Sequence, residues 1–431
     1  MSKLSTVLDL QSLSRTYREV VACRVCGNTN LVPVLDLGIQ ALTGVFPKRA
    51  GESVGAGPLV LVKCWDDWDS EVCGLVQLKH AFEADQLYGQ NYGYRSGLNR
   101  SMVEHLGTIA SRVKQLVALR SGDLVLDIGS NDGTLLRALD HPGVSMVGMD
   151  PTADKFRHYY HPQAHVIPDF FSSKRFQREF GSRRAKVITS IAMFYDLDSP
   201  MDFMREICET LADDGVWLFE QSYLPSMLET TSYDTVCHEH QEYFSLRPIL
   251  WMLERAGLKV VDIGLNDTNG GSFFVVAAKA GSPYPENTLL VQEMLDRERK
   301  DGIDGLGQYQ NFRERVDRHR SDLLSLLSDL RDQGKKVLGY GASTKGNVTL
   351  QYCGLTAREL PFIAEVNPDK FGCVTPGTHI PIISEKEARA MNPDVFLVLP
   401  WHFRQGIIER EADFLASGGK LLFPLPAITM V

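Results

Sequence analysis

Short apolar runs alternate with amphipathic stretches through the middle of the chain, and most of them end at a glycine or an acidic residue. The apolar runs read VLDIG, VSMVGMD, VIPDFF, KVITSIAMF and GVWLFEQ. Apolar runs of this length, bounded by turn residues, predict buried strands, and strands that alternate with helices predict a parallel sheet. The pattern therefore predicts an α/β unit over roughly residues 105–225.

A second series of the same kind lies near the C-terminus. It reads KKVLGYGASTKGNVTL, LPFIAEVNPDKFG and DVFLVLPW, and it predicts a second Rossmann-like α/β unit over residues 335–431. The highly charged stretch over residues 281–334 predicts a helical connector whose charges lie on a solvated face. The first α/β unit, with its closing strands, is expected to occupy residues 105–280.

Four of the eight cysteines lie in two pairs within the first 73 residues. Cys23 and Cys26 have the spacing of a zinc knuckle, whereas Cys64 and Cys73 are separated by eight residues. Four thiolates would complete a tetrahedral zinc site with no open position, so the predicted metal is structural. The alternative is two pairs of reduced core thiols. The zinc hypothesis predicts a small zinc-binding domain over residues 1–104.

Composition narrows the class of protein. The net charge of -9 over 431 residues argues against a nucleic-acid partner, and the longest apolar runs are too short to cross a membrane. The first twenty residues lack the apolar core of a signal peptide. Reduced thiols and a thiolate metal site point to a reducing compartment, so a cytoplasmic enzyme is expected. The oligomeric state stays open.

The turn after the first strand is the first candidate ligand site. VLDIGSNDGTLL differs from the dinucleotide fingerprint because Asn131 stands at its second glycine position, and D-x-G-x-N-D-G resembles motif I of class I methyltransferases, which bind S-adenosylmethionine. Asp150 ends the next strand, where an acidic group can bind ribose hydroxyls. The predicted cofactor-binding residues are Asp127, Gly129, Asn131, Gly133, Asp150, Asp169 and Phe170.

The C-terminal glycine-rich turn is the second candidate. Gly341 lets backbone amides approach a phosphate, Ser343 can donate a hydrogen bond, and Lys345 adds a cation at the helix start. Glu365 ends the following strand. The turn predicts a diphosphate site, and the alternative is a turn whose glycines only allow close packing.

A dense polar cluster, CHEHQEYFS, lies after the first α/β series. It places His238, Glu239 and His240 before an amphipathic helix that is predicted to begin after Ser245. Such density predicts acid/base chemistry at the mouth of the sheet. Two alternatives are a zinc site at the histidines, poorly supported without a third nearby ligand, and simple packing.

Taken together, these motifs resemble those of the C-methyltransferases that act on nucleotide-linked keto-deoxysugars. The matching segments are the four-cysteine motif ending in CGLVQL, YGYRSGLNRSM, DIGSNDG, CHEHQEYFS, NGGSF, GYGASTKGN and PGTHIPI. The resemblance implies three domains, bound zinc, S-adenosylmethionine in the middle domain, and a sugar nucleotide between the middle and C-terminal domains.

The resemblance also implies a reaction. A base removes the proton from the carbon next to a ketone, taken as C3 of a 4-keto-6-deoxysugar, and the carbanion then takes the methyl group. His240 is expected to be the base, and Glu239 assists it. The expected substrate-binding residues are Tyr92, Tyr94, Arg95, Ser96, Tyr195, Cys237, Asn269, Gly341, Ser343, Lys345 and Glu365.

Two positions depart from the family pattern. Cys237 stands where a tyrosine precedes the glutamate, and Tyr195 stands where a histidine follows the strand ending in SIAMF. These changes leave the nucleotide, the sugar and the methylated carbon open. Two other functions also stay open, an NAD(P)-dependent oxidoreductase and a non-catalytic protein that binds sugar nucleotides.

Overall fold

The computed structural model describes residues 17–49, 51–66, 71–82, 87 and 95–431. The strands are β1 (Tyr17–Glu19), β2 (Leu31–Ala41), β3 (Ala56–Cys64), β4 (Val76–Leu78), β5 (His80–Phe82), β6 (Leu124–Ile128), β7 (Ser145–Met149), β8 (His165–Ile167), β9 (Ala185–Ile191), β10 (Leu211–Ser222), β11 (Glu242–Tyr243), β12 (Leu258–Asn266), β13 (Ser272–Lys279), β14 (Val337–Tyr340), β15 (Ile363–Glu365), β16 (Ile382–Ser384), β17 (Val395–Val398), β18 (Lys420–Phe423) and β19 (Thr429–Met430).

The α-helices are α1 (Arg100–Leu116), α2 (Thr134–Ala138), α3 (Ala153–Phe156), α4 (Ser173–Phe180), α5 (Pro200–Thr210), α6 (Leu224–Glu229), α7 (Leu246–Arg255), α8 (Thr288–Lys300), α9 (Gly307–Asp332), α10 (Thr344–Cys353), α11 (Glu385–Ala390), α12 (Arg404–Arg410) and α13 (Ala412–Ala416). Helix α7 begins immediately after Ser245, as predicted. Among the residues with described positions, no helix combines the length and the apolar composition needed to span a bilayer.

The middle of the chain forms a seven-stranded sheet in the order β12-β13-β10-β9-β6-β7-β8. Strands β6 to β10 run parallel, and β13 pairs antiparallel with both β10 and β12. Every residue of β6 is buried, because apolar clusters cover both faces of the sheet. The first predicted α/β unit is therefore confirmed.

The C-terminal sheet has the order β16-β15-β14-β17-β18-β19, and all its pairings are parallel except the last. This confirms the second α/β unit. The charged stretch between the units forms two helices, and each contributes to a core: α8 places Met294 against the middle sheet, and α9 places Phe312 and Val316 in the core of the C-terminal unit. Most of their charged side chains are exposed.

The N-terminal region forms a four-stranded sheet in the order β11-β4-β3-β2, beside the pair β1-β5. Its edge strand β11 comes from the distant segment that follows CHEH, and it pairs antiparallel with β4. One continuous apolar cluster runs from this sheet through Tyr233 and Cys237 to the C-terminal unit. The CHEHQEYFS segment therefore lies where the three units meet.

Candidate active site

The turn after β6 is shaped by left-handed backbone. Gly129, Asn131 and Gly133 have φ values of 70°, 49° and 71°, which glycine adopts freely and asparagine tolerates. The Asn131 amide donates to Asp150 Oδ2 at 2.9 Å, so the carboxylate that ends β7 is held against the turn. The other oxygen of Asp150 accepts from Thr152 N at 2.6 Å.

The remaining predicted cofactor residues occupy different surroundings. Asp127 is buried beneath the turn and accepts a hydrogen bond from Thr189 Oγ1 at 2.7 Å, and burial raises its pKa to about 7. Asp169 follows β8 and lies 3.5 Å from Arg175 Nε, and the Phe170 ring is half exposed beside it. Asp127 thus supports the turn, whereas the described contacts of Asp169 and Phe170 lie at the end of β8.

The segment before α1 contacts the same turn. Ser96 N donates to Asn131 Oδ1 at 2.9 Å, and the Arg95 guanidinium lies 4.1 Å from the centre of the Tyr159 ring. These two predicted substrate residues therefore lie beside the turn after β6, the predicted cofactor site. Tyr92 and Tyr94 lie outside the described residues.

His238 and His240 have different partners. His238 Nε2 donates to the Gly57 carbonyl at 3.4 Å, and burial lowers its pKa to about 4. His240 Nδ1 lies 2.9 Å from the Thr235 carbonyl. A carbonyl only accepts, so Nδ1 carries the proton and Nε2 keeps its lone pair. His240 also lines a small cavity with Tyr195, whose ring meets it edge-on at 4.5 Å.

Glu239 points into the N-terminal unit. Its Oε2 accepts from Thr43 Oγ1 at 3.4 Å, and a Cβ at Gly44 would collide with its other oxygen. Burial raises the pKa of Glu239, and burial also raises the pKa of the neighbouring Cys237 thiol. The carboxyl group is therefore protonated at a higher pH than an exposed glutamate would be.

Lys345 reaches this site from the first turn of α10. Its Nζ donates to the carbonyl of Asn269 at 3.0 Å, and burial lowers its pKa. Burial and the charge of Lys345 together lower the pKa of His240 to about 4. Nearby, Asn347 Nδ2 donates to the Thr43 carbonyl at 2.7 Å. Residues of all three units thus surround the histidine.

The second glycine turn repeats one feature of the first. Glu365 Oε2 accepts from Ala342 N at 2.9 Å, as Asp150 accepts from Asn131. Gly341 has a φ of 82°, and a Cβ there would collide with Pro400. Ser343 caps α10, since its Oγ accepts from Gly346 N at 3.0 Å.

The four predicted zinc ligands converge. Cys23, Cys26, Cys64 and Cys73 place their sulfur atoms within 4.8 Å of one another. The sulfur separations are 3.4 Å for Cys23 and Cys73, and 3.4 Å for Cys26 and Cys64. Tetrahedral zinc with bonds of about 2.3 Å requires sulfur separations of about 3.8 Å, so a small relaxation accommodates the ion.

Several contributors to this site carried no sequence signal that we recognised. Tyr160 donates to the Asn131 carbonyl at 2.8 Å and supports the cofactor turn. Thr235 acts through its backbone carbonyl, which no side-chain pattern reveals. Asp234 accepts from Trp401 Nε1 at 2.8 Å, across the boundary with the C-terminal unit.

Comparisons with known proteins agree over most of the chain. Three family models match: "Putative zinc binding domain" over residues 23–88, "Methyltransferase domain" over 102–263 and "C-methyltransferase C-terminal domain" over 267–426. The C-methyltransferase NovU of Streptomyces niveus is 33% identical over 416 residues, which cover 95% of this chain and 96% of NovU.

Two solved structures resemble part of the chain. The CcbJ methyltransferase from Streptomyces caelestis is 18% identical, with a TM-score of 0.32, over 40% of this chain and 89% of that one. The mitomycin 7-O-methyltransferase MmcR is 19% identical, with a TM-score of 0.34, over 42% and 55% of the two chains.

Proposed function

Since this chain belongs to the C-methyltransferase family, whose members transfer a methyl group from S-adenosylmethionine to carbon, we propose that its substrate is a nucleotide-linked 4-keto-6-deoxysugar. The methylated carbon is C3, next to the ketone, and the product enters deoxysugar biosynthesis in the cytoplasm. The resemblance of CHEHQEYFS and GYGASTKGN to segments of the sugar-methylating enzymes supports this substrate class.

The observation that carries the proposal is the orientation of His240. Its Nδ1–H donates a hydrogen bond to the Thr235 carbonyl, so Nε2 is unprotonated and its lone pair can act as the base. The proton moves from C3 to Nε2, the electron pair of the C–H bond forms an enolate, and C3 then bonds to the methyl carbon. Glu239 assists from the adjacent position in the chain, with its carboxyl group held against Thr43 and Gly44.

The cofactor fits the turn after β6. The glycines at 129 and 133 keep the turn free of side chains, and the Asp150 carboxylate at the end of the neighbouring strand suits a ribose. When bound, S-adenosylmethionine supplies an electrophilic methyl group and leaves as the neutral thioether. The chain's task is then to place the substrate carbon in line with that methyl group.

The C-terminal unit is proposed to hold the sugar nucleotide. The carboxylate of Glu365, which accepts from Ala342 N, suits a nucleoside ribose, and the charge of Lys345 in the same turn acts on His240. The dianionic diphosphate would offset the charge of Lys345, and this would raise the pKa of His240 when substrate is bound. Membership of the C-methyltransferase family favours methyl transfer over the oxidoreductase and the non-catalytic binding protein considered above.

Deuterium exchange tests the proposal. Incubation of the enzyme with the sugar nucleotide in D₂O, without methyl donor, should exchange the C3 proton. His240→Asn should abolish this exchange and reduce turnover by roughly 10² to 10⁴, the usual effect of losing a general base. The matched control is His158→Asn, because His158 is exposed.

Three results would contradict parts of the proposal. Exchange that persists in His240→Asn would assign the base to another residue. A product methylated on oxygen, detected by NMR, would refute carbon methylation of the sugar. Binding of NADH in place of S-adenosylmethionine, measured by calorimetry, would favour the oxidoreductase.

A further inference from the structure

The segment that carries His240 continues directly into the sheet of the zinc-binding unit. In the pairing of β11 with β4, Glu242 faces Gln77 and Tyr243 faces Val76. Leu78 N also donates to the Gln241 carbonyl at 2.8 Å. The backbone immediately after the proposed base is thus fixed by the N-terminal unit.

Arg24, between the first two zinc ligands, reaches the same segment. Its side chain is only 3% exposed. Nη2 donates to Gln241 Oε1 at 3.0 Å, and Nη1 donates to the Leu78 carbonyl at 2.9 Å. Nε lies 3.6 Å from Glu242 Oε1. The two terminal nitrogens of this buried guanidinium thus hydrogen-bond to Gln241 and to Leu78 of β4, while Nε faces the buried Glu242 carboxylate as an ion pair without a hydrogen bond.

Both cysteine pairs of the four-cysteine cluster are joined in sequence to the contacts of Arg24. Arg24 follows Cys23, and its backbone N donates to Gln77 Oε1 at 3.0 Å. Strand β4 begins three residues after Cys73. Zinc bound by the cluster would therefore fix the base of the arginine and the start of β4 together.

The contacts continue from Gln241 to the surroundings of the histidine. Gln241 N donates to the Tyr195 carbonyl at 2.9 Å, and its Nε2 donates to the Asp196 carbonyl at 3.1 Å. Tyr195 in turn packs its ring against His240. A displacement of Gln241 would therefore move the imidazole and the aromatic ring beside it.

We propose that Arg24 is a positioning residue. Through its contact with Gln241, it couples the conformation of the zinc knuckle to the position of His240. This inference rests on the proposed role of His240 as the base. The alternative is that Arg24 only stabilises the fold. The positioning role and the purely stabilising role predict different results, because loss of a positioning residue lowers turnover more than it lowers ligand affinity or zinc content.

The experiment compares Arg24→Gln, which loses the charge and the fork, with Arg24→Lys, which keeps the charge alone. The matched control is Arg18→Gln, because Arg18 contacts Asp198 from the solvent side and Asp198 also lies 3.7 Å from Arg24. Each variant is assayed for zinc content, affinity for S-adenosylhomocysteine, KM for the sugar nucleotide, kcat, and amide hydrogen exchange of residues 237–243.

We expect Arg24→Gln to keep about one zinc per chain and to bind S-adenosylhomocysteine normally. Amide exchange in 237–243 should accelerate by roughly tenfold or more, and kcat should fall by roughly 10- to 100-fold with little change in KM. Arg24→Lys should recover part of both losses, and the control should match the unaltered enzyme.

Two outcomes would overturn the inference. One is unchanged kcat and unchanged amide exchange in Arg24→Gln. The other is parallel loss of zinc, ligand affinity and turnover, which would show a role in folding alone. Amide exchange does not depend on which residue is the base. Faster exchange and lower kcat in Arg24→Gln, together with retained C3 exchange in His240→Asn, would refute the base assignment and keep the role of Arg24.

Discussion

Two histidines two residues apart illustrate how local contacts decide chemistry. His238 is fully buried, its ring packs edge-on against Phe82 at 4.6 Å, and its Nε2 faces the Gly57 carbonyl. His240 instead binds a carbonyl through Nδ1 and lines a cavity. The residue type is the same, but His240 lines the cavity while its Nδ1 proton is held by a backbone carbonyl.

The low pKa of His240 predicts a pH profile. The base acts only when neutral, and a pKa of about 4 keeps it neutral above that pH. The acid limb of kcat/KM, which reports the free enzyme, should therefore lie near pH 4, below the ordinary histidine value of about 6.5. The limb of kcat should lie higher, since bound diphosphate would offset Lys345. Rates measured from pH 4 to 8 test this, and a kcat/KM limb near 6.5 would contradict it.

The carboxylate of Asp150 gives a second prediction at this scale. Asp150→Ala should weaken binding of S-adenosylhomocysteine by about 1 to 3 kcal/mol, the scale of hydrogen bonds to a charged acceptor. The exposed carboxylate of Asp154, in the following helix, provides Asp154→Ala as the matched control. Calorimetry measures both affinities, and equal values would remove Asp150 from the cofactor site.

At the scale of elements, the first turn of α10 contributes both to the proposed nucleotide site and to the surroundings of His240. Its glycine-bordered start faces the proposed nucleotide site, and Lys345 crosses to the middle unit, where it binds the Asn269 carbonyl. Asn269 itself has a φ of 55°, so a tight turn after β12 presents that carbonyl. The helix therefore connects the proposed diphosphate site to the histidine.

Removal of the Lys345 ammonium group should change the KM values of the two substrates to different extents. Lys345→Ala should raise KM for the sugar nucleotide by roughly tenfold or more, since a hydrogen bond to a charged group contributes about 1.5 to 3 kcal/mol. KM for S-adenosylmethionine should stay nearly constant. Steady-state kinetics with each substrate varied in turn measure both values. Lys370→Ala is a useful comparison because Lys370 binds the Ala342 carbonyl in the same turn. A larger effect on the methyl donor would reverse the assignment of the two α/β units.

At the scale of the whole molecule, the N-terminal and C-terminal units contact each other directly. The side-chain amide of Gln351 in α10 accepts from Ala41 N at 2.7 Å and donates to the Ala41 carbonyl at 3.2 Å. It therefore pairs with the last residue of β2 as the backbone of a neighbouring strand would. Two residues further on, Thr43 donates through Oγ1 to Glu239 and accepts at its carbonyl from the buried Asn347. The site thus depends on the assembly of all three units.

Loss of the Gln351 contacts should destabilise this assembly. Gln351→Ala removes two neutral hydrogen bonds and should lower the free energy of unfolding by about 1 to 3 kcal/mol. Denaturant unfolding followed by tryptophan fluorescence measures the change. Gln405→Ala, which removes only an exposed contact with Glu409, should have little effect. Equal stability of the two variants would show that the contact between the units is energetically unimportant.

The sequence alone determined the features that short stretches encode. The two α/β units follow from apolar runs and glycine turns, because strand burial and left-handed backbone are local requirements. The start of α7 after Ser245 has the same origin. The four cysteines were identifiable because Cys23 and Cys26 have the spacing of a zinc knuckle and Cys64 and Cys73 supply two further thiolates in the same region.

Tertiary structure decided the relations between distant residues. Arg24 meets Gln241, Glu239 meets Thr43, and β11 joins the sheet of the N-terminal unit, although these partners are about two hundred residues apart in the chain. The tautomer of His240 depends on a backbone carbonyl, and every residue has one, so no residue pattern could single out Thr235. Such contacts depend on how the units pack, and packing uses shape and burial summed over the whole chain rather than any local motif.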